Sequence, residues 1–348
     1  MNIADGSMAD DETSRKLIED YMAKGGNFFD TANVYERGKS EELLGKILGQ
    51  RRSELVVATK YSGATTRGDP NSGGNSRVCL AKSLDASLKR LGMGHIDLLY
   101  VHIWNYRTPV EEVMRSLDDA VRSGKVHYIG VSDTPAWKIA QANTLASLRG
   151  WSPFIALQTQ YSLIERTAER DLVPMCREME IGMVNWGPLA QGMLTGKYDH
   201  LTVEAGKELL GGALTKAEDR SAQRAAMDGV DTFRPKAVLS IWNEKNRAIS
   251  LEVSAVAKEL KRSASQVALN WNLMKPGTTS PIFAVRTQKQ LDDVIGSLDF
   301  TLSMSQLQRL EEVSKIDQSF PQRWGDASSF TLGGCNVERR KGTFMSLV

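Results

Sequence analysis

The sequence predicts an α/β fold, a (β/α)8 TIM barrel, on three observations. Short apolar runs alternate with amphipathic ones along most of the chain. No glycine-rich phosphate fingerprint follows the first run, and no P-loop occurs anywhere. Ionisable residues end several of the runs, which suits a fold whose strand ends share one mouth.

In chain order, the runs at 27–30 (NFFD), 55–59 (LVVAT), 97–102 (DLLYVH), 128–131, 154–158, 182–185 and 281–285 (PIFAV) read as strands. They are mostly apolar, as strands buried on both faces of a parallel sheet must be. Between them, 12–24, 40–48, 76–91, 110–123, 136–148 and 168–179 carry apolar residues at helical spacing. Ser40 before Glu41 and Glu42 marks a helix start, and Gly92 and Gly124 mark stops. Such alternation is the signature of an α/β fold. A Rossmann sheet would carry its glycines straight after the first strand. The nearest match, Gly92-Met93-Gly94, instead follows a helix and precedes a strand, as a helix-ending turn does. Residues 199–247 are polar and weakly periodic and read as an insertion or lid at the catalytic face. Helices resume at 248–261, 265–274, 288–297 and 303–313. Residues 1–316 are thus expected to form the barrel and 317–348 a loop or tail.

Composition narrows the function classes. The 348 residues carry 44 Lys and Arg against 42 Asp and Glu, a net charge of +2 that argues against a nucleic-acid partner. Cys79, Cys176 and Cys335 lie far apart, without disulfide or metal spacing, which favours a reducing, cytoplasmic setting. No run approaches the ~20 apolar residues of a membrane span, and the acidic N-terminus has no signal-peptide core. His95, His127 and His200 show no ligand spacing and read as surface or structural residues, so no metal is expected. Glu111–Glu112 and Glu311–Glu312 read as solvated helix faces.

Four residues stand at or just beyond strand ends: Asp30, Tyr35, Lys60 and His102. Taken singly, each has a structural explanation. Converging at one barrel mouth they suit proton-coupled hydride transfer to a carbonyl. Charge building on the oxygen needs a positioned donor. The tyrosine would supply it, and a lysine cation held by the aspartate would lower the phenol's pKa. The histidine would hydrogen-bond the substrate oxygen.

The segments NFFDTANVY, SEELLGKIL, ELVVATKY, SLKRLGMGHIDLLYVHIW, SGKVHYIGVSD, LQTQYSL, NWGPLAQGMLTGKY and FAVRTQKQLDDVIGSL resemble the aldo-keto reductase superfamily, in its order and nearly to residue 313. GVSDTPAW and the Trp of NWGPLAQG are most similar to the aryl-alcohol dehydrogenase and norsolorinic acid reductase type. The resemblance implies NADPH bound without a Rossmann domain, and a tetrad at Asp30, Tyr35, Lys60 and His102. It further implies that Ser132, Asp133 and Gln158 hold the carboxamide and that Trp186 stacks on the nicotinamide. Gly187, Pro188, Leu189, Gln191 and Lys197 would meet the pyrophosphate. Arg286, Gln290 and Asp293 would take the adenosine end, with Arg286 on the 2′-phosphate. Tyr61, Trp104, Trp324 and Phe330 are expected to line a mouth for a small aromatic or hydrophobic carbonyl or alcohol. Three departures stand out. Asp133 replaces the family's common Asn, Val294 replaces a polar adenine contact, and MNIADG reads as the end of a first strand whose hairpin and earlier part are missing or shortened. The expected activity is reversible carbonyl reduction; the alternative is a catalytically weak NADPH-binding accessory protein.

Overall fold

The computed structural model describes residues 11–208, 233–317 and 320. Among them, seven strands form one parallel sheet in sequence order: β1 (Phe28–Asp30), β2 (Val56–Tyr61), β3 (Ile96–Val101), β4 (Val126–Ser132), β5 (Phe154–Gln160), β6 (Gly182–Trp186) and β7 (Thr278–Pro281). The main helices are α1 (Asp11–Ala23), α2 (Lys39–Leu48), α3 (Arg77–Leu91), α4 (Val110–Arg122), α5 (Ala136–Arg149) and α6 (Leu172–Glu178). Further along come α7 (Phe233–Ser240), α8 (Glu244–Leu260), α9 (Ala264–Met274), α10 (Gln288–Ile295) and α11 (Met304–Ser314).

The sheet curls strongly. In a flat sheet β1 and β5, four strands apart, would be about 19 Å from each other. Here Gln158 on β5 donates from Nε2 to Oδ1 of Asp30 on β1 at 2.8 Å. Among the described residues the curled sheet is an incomplete (β/α)8 barrel with β1 and β7 as its two edges. An apolar groove lies between those edges, lined among others by Ile18, Tyr21, Phe29, Phe283 and Leu291. The strand expected to end at MNIADG lies outside the described residues.

Strand alternation sorts the side chains into two layers. Phe29, Val57, Leu99, Val131 and Leu157 join the large core under the helices. Their neighbours Phe28, Ala58, Leu98, Tyr100 and Ala156 form a smaller cluster inside the curl. Lys60, two residues from Ala58, therefore points inward, and so do Asp30 and Gln158.

Polar contacts then fix the helices on the sheet. Glu41 of α2 is fully buried; it accepts from Thr59 Oγ1 at 2.6 Å and from Arg90 Nε at 2.7 Å. Gly45 lets α2 lie directly on the end of α3, because a Cβ there would come within 2.3 Å of the Leu91 carbonyl oxygen.

Four expectations are corrected. The last strand is Thr278–Pro281 rather than 281–285. Its ladder to β6 ends as Ile282 N–H donates to Asn185 O at 2.8 Å, and Ile282, Phe283 and Val285 line the groove instead. The helix expected at 168–179 is a 3-10 turn, Thr167–Arg170, followed by α6, with a break at Asp171. The helix expected from 248 starts at Glu244, where the Asn243 side chain caps the Asn246 N–H. Finally, Glu311 is half-buried in an ion-pair network rather than on a solvated face. It pairs with Arg166, accepts from Trp271 Nε1 at 2.9 Å and meets Lys275 Nζ at 3.0 Å, tying α11 to α9. Of the 199–247 insertion, residues 209–232 lie outside the described part, as does the tail beyond 320. Among the described residues no helix is long and apolar enough to cross a membrane.

Candidate active site

The four residues singled out at strand ends meet at the C-terminal ends of β1, β2 and β3. Beyond Asp30 the chain keeps tracking β2: Thr31 N–H donates to Ala58 O at 2.9 Å and Asn33 N–H to Lys60 O at 3.1 Å. It then tightens into a 3-10 turn at Tyr35–Gly38. Glu36, Arg37 and Gly38 take φ of 48°, 57° and 94°, and a Cβ at Gly38 would also strike Arg90 at 2.7 Å, so glycine is required there. This turn brings Tyr35 back over Lys60. His102 follows β3 directly, its N–H bonded to Tyr61 O at 3.0 Å.

Lys60 is fully buried, and its ammonium donates to Asp30 Oδ2 at 2.5 Å and to Thr31 O at 2.8 Å. Its Nζ lies 5.0 Å from the centre of the Tyr35 ring. The Tyr35 and His102 rings meet edge-on, centroids 5.8 Å apart. Burial alone would push Lys60 down; Asp30 and then Tyr35 outweigh it and hold the ammonium above its ordinary pKa. Burial pushes His102 down to about 4, with Lys60 adding to the effect, so the imidazole is neutral at pH 7. For Tyr35 the expectation of a lowered pKa is overturned. Burial raises it, and the opposing pull of Lys60 does not compensate. The phenol stays protonated, as a proton donor must before it acts.

Ser132 ends β4 and is buried, as is Gln158, whose amide is already engaged with Asp30. Asp133 takes φ 42° and accepts from the Trp186 indole N–H at 3.0 Å, which joins the ends of β4 and β6. Burial raises the Asp133 carboxyl above its usual range, and the Trp186 bond works against that. Past Trp186 the segment carrying Pro188 and Leu189 coils tightly, with positive φ at Gly187, Ala190, Gln191, Gly192 and Gly196. Lys197, exposed, lies beside this coil, with Nζ 4.6 Å from the Tyr198 ring centre. Arg286 follows β7, and its backbone N–H donates to Gln290 Oε1 at 2.8 Å; Asp293 lies one turn further along α10. Lys197 beside a turn rich in left-handed residues forms a donor set that fits phosphate.

A model of the aldo/keto reductase family matches residues 1–315. The chain belongs to that family. It is 33% identical to norsolorinic acid reductase of Aspergillus flavus over 322 residues, 90% of this chain and 75% of the relative. It is 33% identical to an aryl-alcohol dehydrogenase [NADP(+)] of Phanerodontia chrysosporium over 335 residues, 93% of this chain and 82% of the relative. An uncharacterized oxidoreductase of Bacillus subtilis is 34% identical over 320 residues. Family membership makes the protein an oxidoreductase acting on carbonyl groups.

Within this aldo/keto reductase mouth, two expected substrate residues are otherwise employed. Tyr61 is 1% and Trp104 4% exposed, both packed in the core under the helices. Neither offers surface to a substrate as the structure stands. Trp324 and Phe330 lie outside the described residues. Sequence reasoning missed Thr31, whose carbonyl holds the lysine, and Tyr100, which is buried with its ring centre 6.0 Å from Lys60 Nζ. The signal for Tyr100 was present. It is two residues before His102 and so shares its face of β3.

Proposed function

We propose that the protein is an NADPH-dependent reductase of aromatic or hydrophobic aldehydes and ketones, reversible toward the alcohol, with Tyr35 as general acid. The observation that carries this is the fully buried Lys60 ammonium, paired with Asp30 at 2.5 Å and lying 5.0 Å from the Tyr35 ring centre. An unpaired buried charge costs several kcal/mol, and pairing removes only part of that cost. Such an arrangement beside a phenol and a neutral imidazole suits a proton donor at a strand-end mouth. NADPH, when bound, supplies the hydride. Lys60 steadies negative charge developing on the Tyr35 oxygen as its proton passes to the carbonyl oxygen. His102, neutral, orients that oxygen through a hydrogen bond. Ser132, Asp133 and Gln158 would hold the carboxamide, with Trp186 flanking the ring. The coil at 187–191 with Lys197 would meet the pyrophosphate, and Arg286, with Gln290 and Asp293, would take the adenosine end. A guanidinium matches the 2′-phosphate in a bidentate fork. The relative named for NADP(+) supports that choice.

The test is NADPH oxidation with a panel of aromatic aldehydes and ketones, wild type beside Tyr35→Phe. Loss of the acid should cut turnover about 10²–10⁴-fold while NADPH still quenches tryptophan fluorescence. Wild-type protein that binds NADPH but reduces none of the panel would support an accessory role instead.

A further inference from the structure

A second convergent group lies at the opposite end of the sheet. His95 immediately precedes β3, and Asp97, two residues on, shares its face of the strand. The register that sets Ile96 beside Val126 sets Asp97 beside His127 on β4. The expectation that these histidines stand without ligand partners is therefore corrected. Their rings stack with centroids 4.1 Å apart and planes 13° from parallel. Asp97 Oδ1 is 3.6 Å from His95 Nε2 and 3.8 Å from His127 Nδ1. One ligand atom from each of the three residues lies within 4.8 Å of the others.

We propose that His95, Asp97 and His127 form a binding site for a divalent transition metal, with zinc the ion that two imidazoles and a carboxylate suit best. Ligand atoms at ~2.05 Å from a tetrahedral ion are about 3.3 Å apart. The group needs to close by ångströms or less, through tilting of rings whose side chains are 36% and 48% exposed. The tilt is required, since two nearly parallel ring planes do not share a point for the ion. Water fills the fourth position from the solvent side.

The carboxylate is already set for this role. Its Oδ2 accepts from Val57 N–H at 2.7 Å and pairs with Arg52 at 2.6 Å, which leaves Oδ1 turned to both histidines. Such outer contacts orient a metal-binding carboxylate. The Arg52 charge also lowers the affinity, so the site is weaker than a closed four-ligand structural zinc. The ion would clasp β4 to the start of β3, whose Asp97 already accepts from Val57 N–H on β2. Five residues of strand, about 17 Å, separate Asp97 from His102, so the metal acts on stability and not on the reaction.

The experiment is zinc titration of the untagged full chain by calorimetry and thermal unfolding, with Co²⁺ absorption as the readout of ligand geometry. Expected are one equivalent of zinc, a higher melting temperature with zinc, and a tetrahedral Co²⁺ spectrum. His127→Gln and His95→Gln should each weaken zinc binding at least about tenfold and abolish the Co²⁺ bands. Both variants should melt like wild type without metal and keep its carbonyl turnover. Wild-type affinity weaker than about 1 mM would overturn the proposal. So would zinc binding that survives both variants, or that disappears with His102→Gln instead.

Discussion

Replacing Asp30 by Asn tests whether the Asp30–Lys60 pair sustains both the fold and the mouth. The substitution keeps the side chain's shape and leaves an oxygen that can still accept from Gln158. It removes the charge 2.5 Å from a lysine that is fully buried. Breaking one side of a buried ion pair costs about 3–5 kcal/mol. The Thr31 carbonyl still accepts from Nζ, which places the expected loss near the lower figure. For 348 residues, unfolding entropy scales to roughly 0.7 kcal/mol per degree, so the midpoint should fall by about 4–5 °C. The pH dependence is diagnostic. In wild type the folded Lys60 pKa is raised, so its contribution is complete below the unfolded value, about 10.4, and fades as pH rises through the folded value. Without Asp30, burial lowers the folded pKa below the unfolded one. The unfolded chain then binds more protons, and stability rises with pH through that window. The gap between wild type and Asp30→Asn should thus be widest near neutrality and narrow toward pH 10. Urea unfolding of both proteins at several pH values measures it. A deficit under about 1 kcal/mol, or one that stays constant with pH, would refute the reasoning.

Three further outcomes follow from particular contacts. Arg286→Ala should raise KM for NADPH about 10–100-fold while leaving NADH nearly unaffected, since a charged hydrogen bond contributes about 1.5–3 kcal/mol; equal effects on both cofactors would remove Arg286 from the 2′-phosphate. The folded His102 pKa, about 4 against 6.5 unfolded, means the unfolded chain binds more protons between those values, so stability falls as pH drops through that window. The His102 share of the loss between pH 7 and 5 is about 2 kcal/mol, and His102→Gln should show a shallower slope in thermal melts. Gly45→Ala, which would help an ordinary helix by about 0.5–1 kcal/mol, should instead destabilise by about 1–3 kcal/mol, because the new methyl meets the Leu91 carbonyl at 2.3 Å; a variant as stable as wild type would show that α2 and α3 can move apart freely.

The architecture was legible because each strand of a parallel sheet buried on both faces is a short apolar run, and six of the seven lay where the runs placed them. The seventh was misplaced because PIFAV is apolar for another reason. Ile282, Phe283 and Val285 line a groove at the sheet edge, so their hydrophobicity marks burial without strand pairing. The tetrad positions could be read from strand ends, and alternation also carried their direction. Ala58 and Lys60, and Tyr100 and His102, share parity and face the inside of the curl. The sign of the Tyr35 shift could not be read, since it depends on how deeply the turn after Asp30 buries the phenol. The stacking of His95 on His127 was equally hidden, because only strand register sets residues this distant in sequence side by side.

The site's polar contacts also bear on the sheet. Among the described residues β1, which supplies Asp30, is an edge strand of three residues paired on one side to β2. A short edge strand held by one ladder is the element most prone to peel away. Two contacts at its end oppose that: Lys60 from β2, and Gln158 reaching across the curl from β5. On its outer face Phe29 meets the Tyr21 ring edge-on at 5.5 Å, which anchors it to α1. Removing the Gln158 amide should therefore loosen β1 as well as disturb the mouth. Amide exchange at Phe29 and at Thr31, whose N–H donates to Ala58 O, should speed up in Gln158→Leu relative to the strands inside the sheet. Unchanged exchange there would mean that the β2 ladder and Tyr21 alone hold the edge.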